Sequence, residues 1–175
     1  MIHLKSKTEI ETMRASCRIA ADAMVRVRDA LRPGVTTAAL DEIADDYIRS
    51  QGAVASAKGY RGYPGSICVS VNEEVVHGIP GSRQLCDGDI LSVDIAAKKN
   101  DYHGDMNVSF AIGDVGEVAT RLLQTTKQAM DIGLQASCPG TRLGDIGHLI
   151  QRHVEAEGFS VVEVFCGHGI GRAFH

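Results

Sequence analysis

Five cysteines, Cys17, Cys68, Cys86, Cys138 and Cys166, are scattered through the 175 residues, and no two of them stand in CxxC spacing. An odd, scattered set argues against a disulfide framework or a zinc knuckle and fits a reducing compartment. A basic excess is also missing. The net charge of −4 leaves no electropositive footprint, so nucleic acid is not an expected partner. No stretch approaches the roughly 20 apolar residues of a spanning helix, so no membrane association is expected. The opening "MIHLKSKTEIETMR" is charged throughout and has no apolar h-region, which excludes a signal peptide and makes the cytoplasm the expected location. What remains is the composition of a soluble globular chain, 44% hydrophobic and 23% charged, long enough for one domain with a sizeable core.

Local chemistry predicts the helices. Ser6-Lys7-Thr8-Glu9 fits a capping box, and Ile10, Met13, Cys17, Met24, Val27 and Leu31 follow as an apolar stripe that must stop before Pro33-Gly34. A second helix after Thr36-Thr37 carries Leu40, Ile43, Ala44, Tyr47 and Ile48, with Gly52 as its terminating residue. "GYRGYPGS" reads as a loop, "ICVSV" as a strand and "NEEVVHGIP" as a turn and loop. Further helices are expected over about 117–136 and 143–154, then a last strand at "FSVVEVF".

Residues 89–112, "DILSVDIAAKKNDYHGDMNVSFAI", contain two runs with the period of a strand. Val93, Ile95 and Ala97 alternate with Ser92, Asp94 and Ala96. Gly104, Met106, Val108 and Phe110 alternate with His103, Asp105, Asn107 and Ser109. With Lys99-Asn100 as the turn of a hairpin, Asp94 lies opposite Asp105 and Ser92 opposite Asn107. Like charges so placed are destabilising, so a cation, a shared proton or solvent must compensate them.

The second half echoes the first. Pro33-Gly34 and Pro139-Gly140 stand 106 positions apart, as do Gly52 and Gly158, and Leu40, Ile43 and Ile48 match Ile146, Leu149 and Val154. A fixed offset suggests a duplicated helix–helix–strand unit, the first over about 1–113 and the second over about 114–175. A copy of the first unit would run well past His175, so the second is expected to be incomplete.

Of the seven histidines, His77, His168 and His175 lie in glycine-rich or terminal loop stretches, "VVHGIP", "CGHGIG" and "GRAFH", while His148, His153 and His3 read as structural or solvated. A histidine beside glycine is open to a ligand or metal, although alone each also fits a surface loop. Two carboxylates and an imidazole form an oxygen and nitrogen donor set suited to Mn, Fe, Co or Zn. Carboxylates that bridge two ions are a device of two-metal hydrolases, and Asp94, Asp105 and His168 could supply part of such a site.

"GYRGYPGSICVSVNEEVVHGIP", "DGDILSVDIAAKKNDYHGD" and "VEVFCGHGIGRAFH", in this order and spacing, resemble the type I methionine aminopeptidases. The resemblance covers essentially the whole chain. It implies an α/β (α+β) pita-bread fold, with duplicated units around a curved antiparallel sheet and a site for two divalent metal ions. It implies that Asp94 and Asp105 are metal ligands, Asp105 the bridging one, and that His168 is the metal-binding histidine. His77 matches the histidine that hydrogen-bonds substrate beside the scissile peptide, and His175 the one that helps stabilise the tetrahedral intermediate. Tyr60, Tyr63, Cys68 and Phe174 match positions around the pocket for the methionine side chain. The implied reaction removes the initiator methionine from nascent chains, through water activated by metal and a glutamate as proton shuttle. The ribosome is a further candidate partner.

The departures are specific. The family pattern continues past "GRAFH" with two metal-binding glutamates that these residues do not include, so a C-terminally truncated form is expected, with weak metal binding and little or no peptidase activity. Lost sheet partners would expose a strand edge and apolar helix faces, favouring poor solubility, oligomerisation or disorder toward the C-terminus. Ala57 stands where cysteine is frequent, and Met106 where a small polar residue is usual. One alternative is a pita-bread peptidase acting on Xaa-Pro bonds, a group that usually has an extra N-terminal domain and other histidine motifs. Another is a non-enzymatic pita-bread module that binds a peptide or partner, against which the survival of Asp94, Asp105 and His168 argues.

Overall fold

Helix α1 (Lys7–Ala30) starts at a closed capping box: the Ser6 hydroxyl accepts from the Glu9 amide, and the Glu9 carboxylate accepts from the Ser6 amide at 2.9 Å. It ends short of Pro33, which has no amide hydrogen to continue the ladder. Helix α2 (Thr37–Ser50) is capped by Thr36, whose hydroxyl accepts from the Ala39 amide at 3.2 Å, and stops at Gly52 with φ +64°. The computed structural model describes residues 3–175.

The sheet is built around one long strand. β3 (Ile90–Lys99) pairs along its whole length with β4 (Tyr102–Ala111), while β1 (Val54–Ala55) and β2 (Cys68–Val71) line its other edge in succession, all antiparallel. Leu91, Val93, Ile95 and Ala97 form the apolar face and meet Ile19, Ala23, Val27, Leu40, Ala44 and Ile48 of the two helices in one core. Met106, Val108 and Phe110 complete that face from β4. Gly104 permits the approach of α1: a Cβ there would stand 2.3 Å from the Cys17 nitrogen.

The hairpin register differs from the expectation by two residues. The turn is Asn100-Asp101, both residues left-handed with φ +50° and +64°, as a two-residue turn of the mirror-image type requires. Asp94 therefore pairs with Asn107, Asp105 with Ala96, and Ser92 with Ser109. A shift by an even number keeps each side chain on its face, so Asp94 and Asp105 become diagonal neighbours on the polar side.

Residues 116–167 form a second compact unit. It consists of α3 (Glu117–Ala136) and α4 (Leu143–Ala156), which meet where a Cβ on Gly133 would stand 3.0 Å from Ile150 Cδ1. The expected strand at 159–165 does not form: the segment has no ladder partner among the described residues, and Val161, Val162, Val164 and Phe165 are exposed. A solitary apolar run has no second strand to take up its backbone donors and acceptors.

The 106-residue echo extends to backbone geometry. α4 reproduces the bounds of α2 at that offset, Arg142 (φ −85°, ψ 147°) reproduces Thr36 (φ −84°, ψ 150°), and Gly140 and Gly158 have positive φ like Gly34 and Gly52. α3 ends at the offset from the end of α1. α2 and α4 thus share both bounds at this spacing, while α1 and α3 share only their ends.

Candidate functional site

The polar face of the hairpin holds a ladder of hydrogen bonds. The hydroxyls of Ser109 and Ser92 lie 2.9 Å apart, the Ser92 hydroxyl donates to Asn107 Oδ1 at 3.0 Å, and the Asn107 amide hydrogen-bonds Asp94. Asp94 also hydrogen-bonds Asp105. Burial first, and then the charge of Asp105, push the Asp94 carboxyl up from 3.8 to about 7. A carboxyl so raised keeps its proton up to near neutral pH, which relieves its repulsion with Asp105.

His168 approaches the pair from a loop. Its Nε2 is 3.6 Å from Asp105 Oδ2, and its Nδ1 donates to the Gly169 carbonyl at 3.1 Å. Because a carbonyl only accepts, the Nδ1 hydrogen is committed there, and Nε2 is the ring nitrogen that faces the carboxylates. This arrangement is common for a metal-ligating imidazole. Asp94 and His168 each approach Asp105 and do not converge on one point. Among the described residues, no group of three or more His, Cys, Asp or Glu side chains stands in an ion-holding arrangement. The donor set nevertheless fits a divalent cation: two carboxylates that repel each other, beside an imidazole oriented by its other nitrogen.

Around this centre lie the other expected residues. His175 Nδ1 is 3.0 Å from the Tyr60 hydroxyl, and its ring centroid is 4.3 Å from that of His168. Burial, and then the neighbouring His168, lower the pKa of His175. Phe174 meets Tyr60 edge-on at 5.2 Å and His168 at 6.3 Å. Cys68 is buried directly across the ladder from Asp94, and burial raises its thiol pKa. Tyr63, beside Cys68, donates its hydroxyl to the Gly78 carbonyl at 2.7 Å, and burial raises its pKa. Asp41 and Asp45 on α2 hold the start of β2, accepting from the amides of Ser66 and Ile67 and from the Ser66 hydroxyl at 2.7–2.9 Å.

His77 takes the left-handed conformation, φ +61°. The next residue explains the strain: a Cβ on Gly78 would stand 2.2 Å from the Val69 carbonyl oxygen, so only glycine lets this loop press against β2.

His103 was not among the residues singled out from the sequence. It is buried, its Nδ1 is 2.8 Å from the Ser56 hydroxyl, and its ring stacks on Phe174 at 5.3 Å with the planes 8° apart. Burial, and then Lys98, lower its pKa. The signal available was its place two residues before Asp105 on the same strand face.

Two adjacent carboxylates beside an imidazole, on an antiparallel sheet backed by helices, are a donor set of the kind metal-dependent hydrolases use. The chain belongs to the Metallopeptidase family M24, which matches residues 11–175. Methionine aminopeptidase 1 of Bacillus subtilis is 49% identical over 175 residues, covering all of this chain and 71% of the relative. A methionine aminopeptidase of Clostridium acetobutylicum is 47% identical, covering all of this chain and 70% of that protein. The crystal structure of methionine aminopeptidase from Rickettsia prowazekii superposes with a TM-score of 0.98 at 38% identity, covering all of this chain and 71% of that one. The fold is thus the pita-bread fold of these enzymes, and the protein is a metallopeptidase by family.

Proposed function

We propose that this protein is a metal-dependent aminopeptidase that removes the N-terminal methionine of polypeptides, including nascent chains. The observation that carries the reading is the Asp94–Asp105 pair, desolvated and diagonal on one face, with His168 Nε2 aimed at Asp105. The likeness to relatives named methionine aminopeptidase supports the substrate. Asp94 and Asp105 would hold one divalent ion and Asp105 and His168 a second, with Co, Mn, Fe or Zn all compatible with the donors. When bound, such ions lower the pKa of water and polarise a carbonyl.

The chain's own residues do the rest. Tyr60, Tyr63, Cys68 and Phe174 would surround the methionine side chain and so orient the first peptide bond toward the carboxylates. His175, held by the Tyr60 hydroxyl, would donate a hydrogen bond to the oxyanion of the tetrahedral intermediate. His77, on its strained loop, would hydrogen-bond the peptide on the other side of the scissile bond. His103 supports Phe174 from beneath. The chain is read as one duplicated domain, with units over about 1–113 and 114–175, working in the cytoplasm, where nascent chains and the ribosome are met.

The test is release of methionine from Met-Ala-Ser, with and without added Co2+ or Mn2+, alongside calorimetric metal titration. Metal-stimulated release, even if far slower than that of the full-length relatives, or metal uptake alone, supports the reading where Asp105→Asn abolishes it. Metal uptake unchanged in Asp105→Asn refutes it and favours a peptide-binding module, which needs no ion.

A further inference from the structure

His168, Phe174 and His175 sit on the segment 166–175, which has no helix or strand and carries glycine at 167, 169 and 171. A chain of that composition loses much conformational freedom when ordered, so its position depends on what it is tied to. The ties converge on the first two residues of β4. The His103 amide donates to the Gly171 carbonyl at 2.9 Å, and the His103 ring stacks on Phe174. The Arg172 guanidinium lies 4.7 Å over the Tyr102 ring, and its Nη2 is 3.7 Å from Glu9 Oε1. The Tyr102 hydroxyl donates to that same oxygen.

Glu9 is itself immobilised, since its other oxygen, Oε2, accepts from the amide and hydroxyl of Ser6 at 2.9 and 3.0 Å. Tyr102 is anchored from behind by Ser16 of α1, whose hydroxyl donates to the Tyr102 carbonyl at 2.7 Å. The Tyr102 hydrogen bond, followed by those of Ser6, lowers the Glu9 carboxyl to about 2, so the acceptor stays charged. A fixed anion, a fixed ring and a cation on the loop form a three-part contact.

We propose that Glu9, Tyr102 and Arg172 are positioning residues: they latch the segment bearing His168 and His175 onto α1 and the start of β4, and so set where the two imidazoles stand relative to Asp105 and Tyr60. The latch sits at 171–172, directly before Phe174, whose ring abuts both His168 and His175. Loosening it would free the two histidines together and leave the Asp94–Asp105 pair in place. The catalytic consequence rests on the peptidase reading, whereas the latch itself concerns where two rings stand.

The experiment uses the full chain and two variants. Glu9→Gln retains the helix cap, since glutamine closes a capping box as glutamate does, but removes the charge that Arg172 faces. Arg172→Met alters only an exposed loop side chain and remains informative if the first variant does not fold. The readout is the imidazole Hε1 resonances of His168 and His175 without metal, which sense the ring currents of Phe174 and of each other. Both resonances are expected to move or broaden in each folded variant, while the amide signals of β2 and β3 stay in place. Cobalt should then bind more weakly, by a factor on the order of ten, because the His168 imidazole is less well fixed before binding. A merely structural effect on α1 would move the amides of residues 7–12 and leave the two rings alone. Histidine resonances unchanged in either folded variant overturn the proposal. If the wild type binds no cobalt, the peptidase reading fails, and the ring resonances still decide the latch.

Discussion

Replacing Asp105 by asparagine should change the stability of the metal-free protein in opposite directions at acid and alkaline pH. Folding raises the Asp94 carboxyl from 3.8 to about 7, with burial the largest cause and Asp105 the next. A shift of about three units corresponds to roughly 4 kcal/mol, and Asp105, second to burial among the causes, supplies part of it, on the order of 2 kcal/mol at most. A carboxyl whose pKa is raised by folding contributes stability that is complete below its unfolded pKa and lost as pH rises through the folded one. At about pH 8 the native pair is therefore a liability, and Asp105→Asn should stabilise the protein by up to ~2 kcal/mol. At about pH 5 Asp94 carries its proton and hydrogen-bonds Asp105, with His168 Nε2 3.6 Å from Asp105 Oδ2. An amide is a weaker acceptor, and the His168 side chain is 36% exposed, so the variant should lose about 1 kcal/mol there. Urea unfolding of both proteins in EDTA at the two pH values measures the difference directly, and pH effects shared by the two chains cancel. A variant less stable than the wild type at both pH values, or a difference independent of pH, would refute the argument that these carboxylates repel in the folded state.

Other outcomes follow from single contacts. Adding Co2+ should raise the melting temperature of the wild type progressively with concentration and leave Asp105→Asn unmoved, as binding to the native state alone requires; equal shifts would place the ion elsewhere. Tyr102→Phe should raise the Glu9 pKa from about 2 toward 4.5, because the Tyr102 hydrogen bond is the first cause of its depression. The stability this carboxylate contributes is present above its unfolded pKa near 4.5 and lost as pH falls through about 2, and a carbon-detected titration of the Glu9 carboxyl would show the change. Gly104→Ala would place a methyl 2.3 Å from the Cys17 nitrogen and should cost about 1–3 kcal/mol by urea denaturation, an effect absent if α1 is not seated on β4. Ile95→Ala, at a fully buried position facing both helices, should cost roughly 2–5 kcal/mol by the same measurement.

What could be read from the sequence was whatever depends on neighbours along the chain. Ser6 and Glu9 close a cap within one turn, Pro33 and Gly52 stop their helices by their own backbone chemistry, and the bounds of α3 follow the apolar period. Reading failed where a distant partner decides. "FSVVEVF" has the pattern of a strand, but pattern says nothing of whether a second strand lies alongside, and none does among the described residues. His103 lies in a strand and not in a glycine-rich loop, and its burial comes from residues 171–174, far along the chain. The hairpin turn was misplaced because Lys99-Asn100 and Asn100-Asp101 are both polar pairs, and only the left-handed φ shared by Asn and Asp singles out the second. That error left the site intact for a geometric reason. Strand side chains repeat every two residues, so a turn displaced by one residue shifts the pairing by two and returns Asp105 to the face of Asp94. A shift by an odd number would have sent Asp105 into the apolar layer with Val93 and Ile95, where an unpaired carboxylate is untenable. The alternation of Met106, Val108 and Phe110 forbids that register more strongly than any turn residue selects the correct one. The meeting of the two carboxylates is therefore fixed by the core, which the sequence encodes many times over, and not by the turn, which it encodes once.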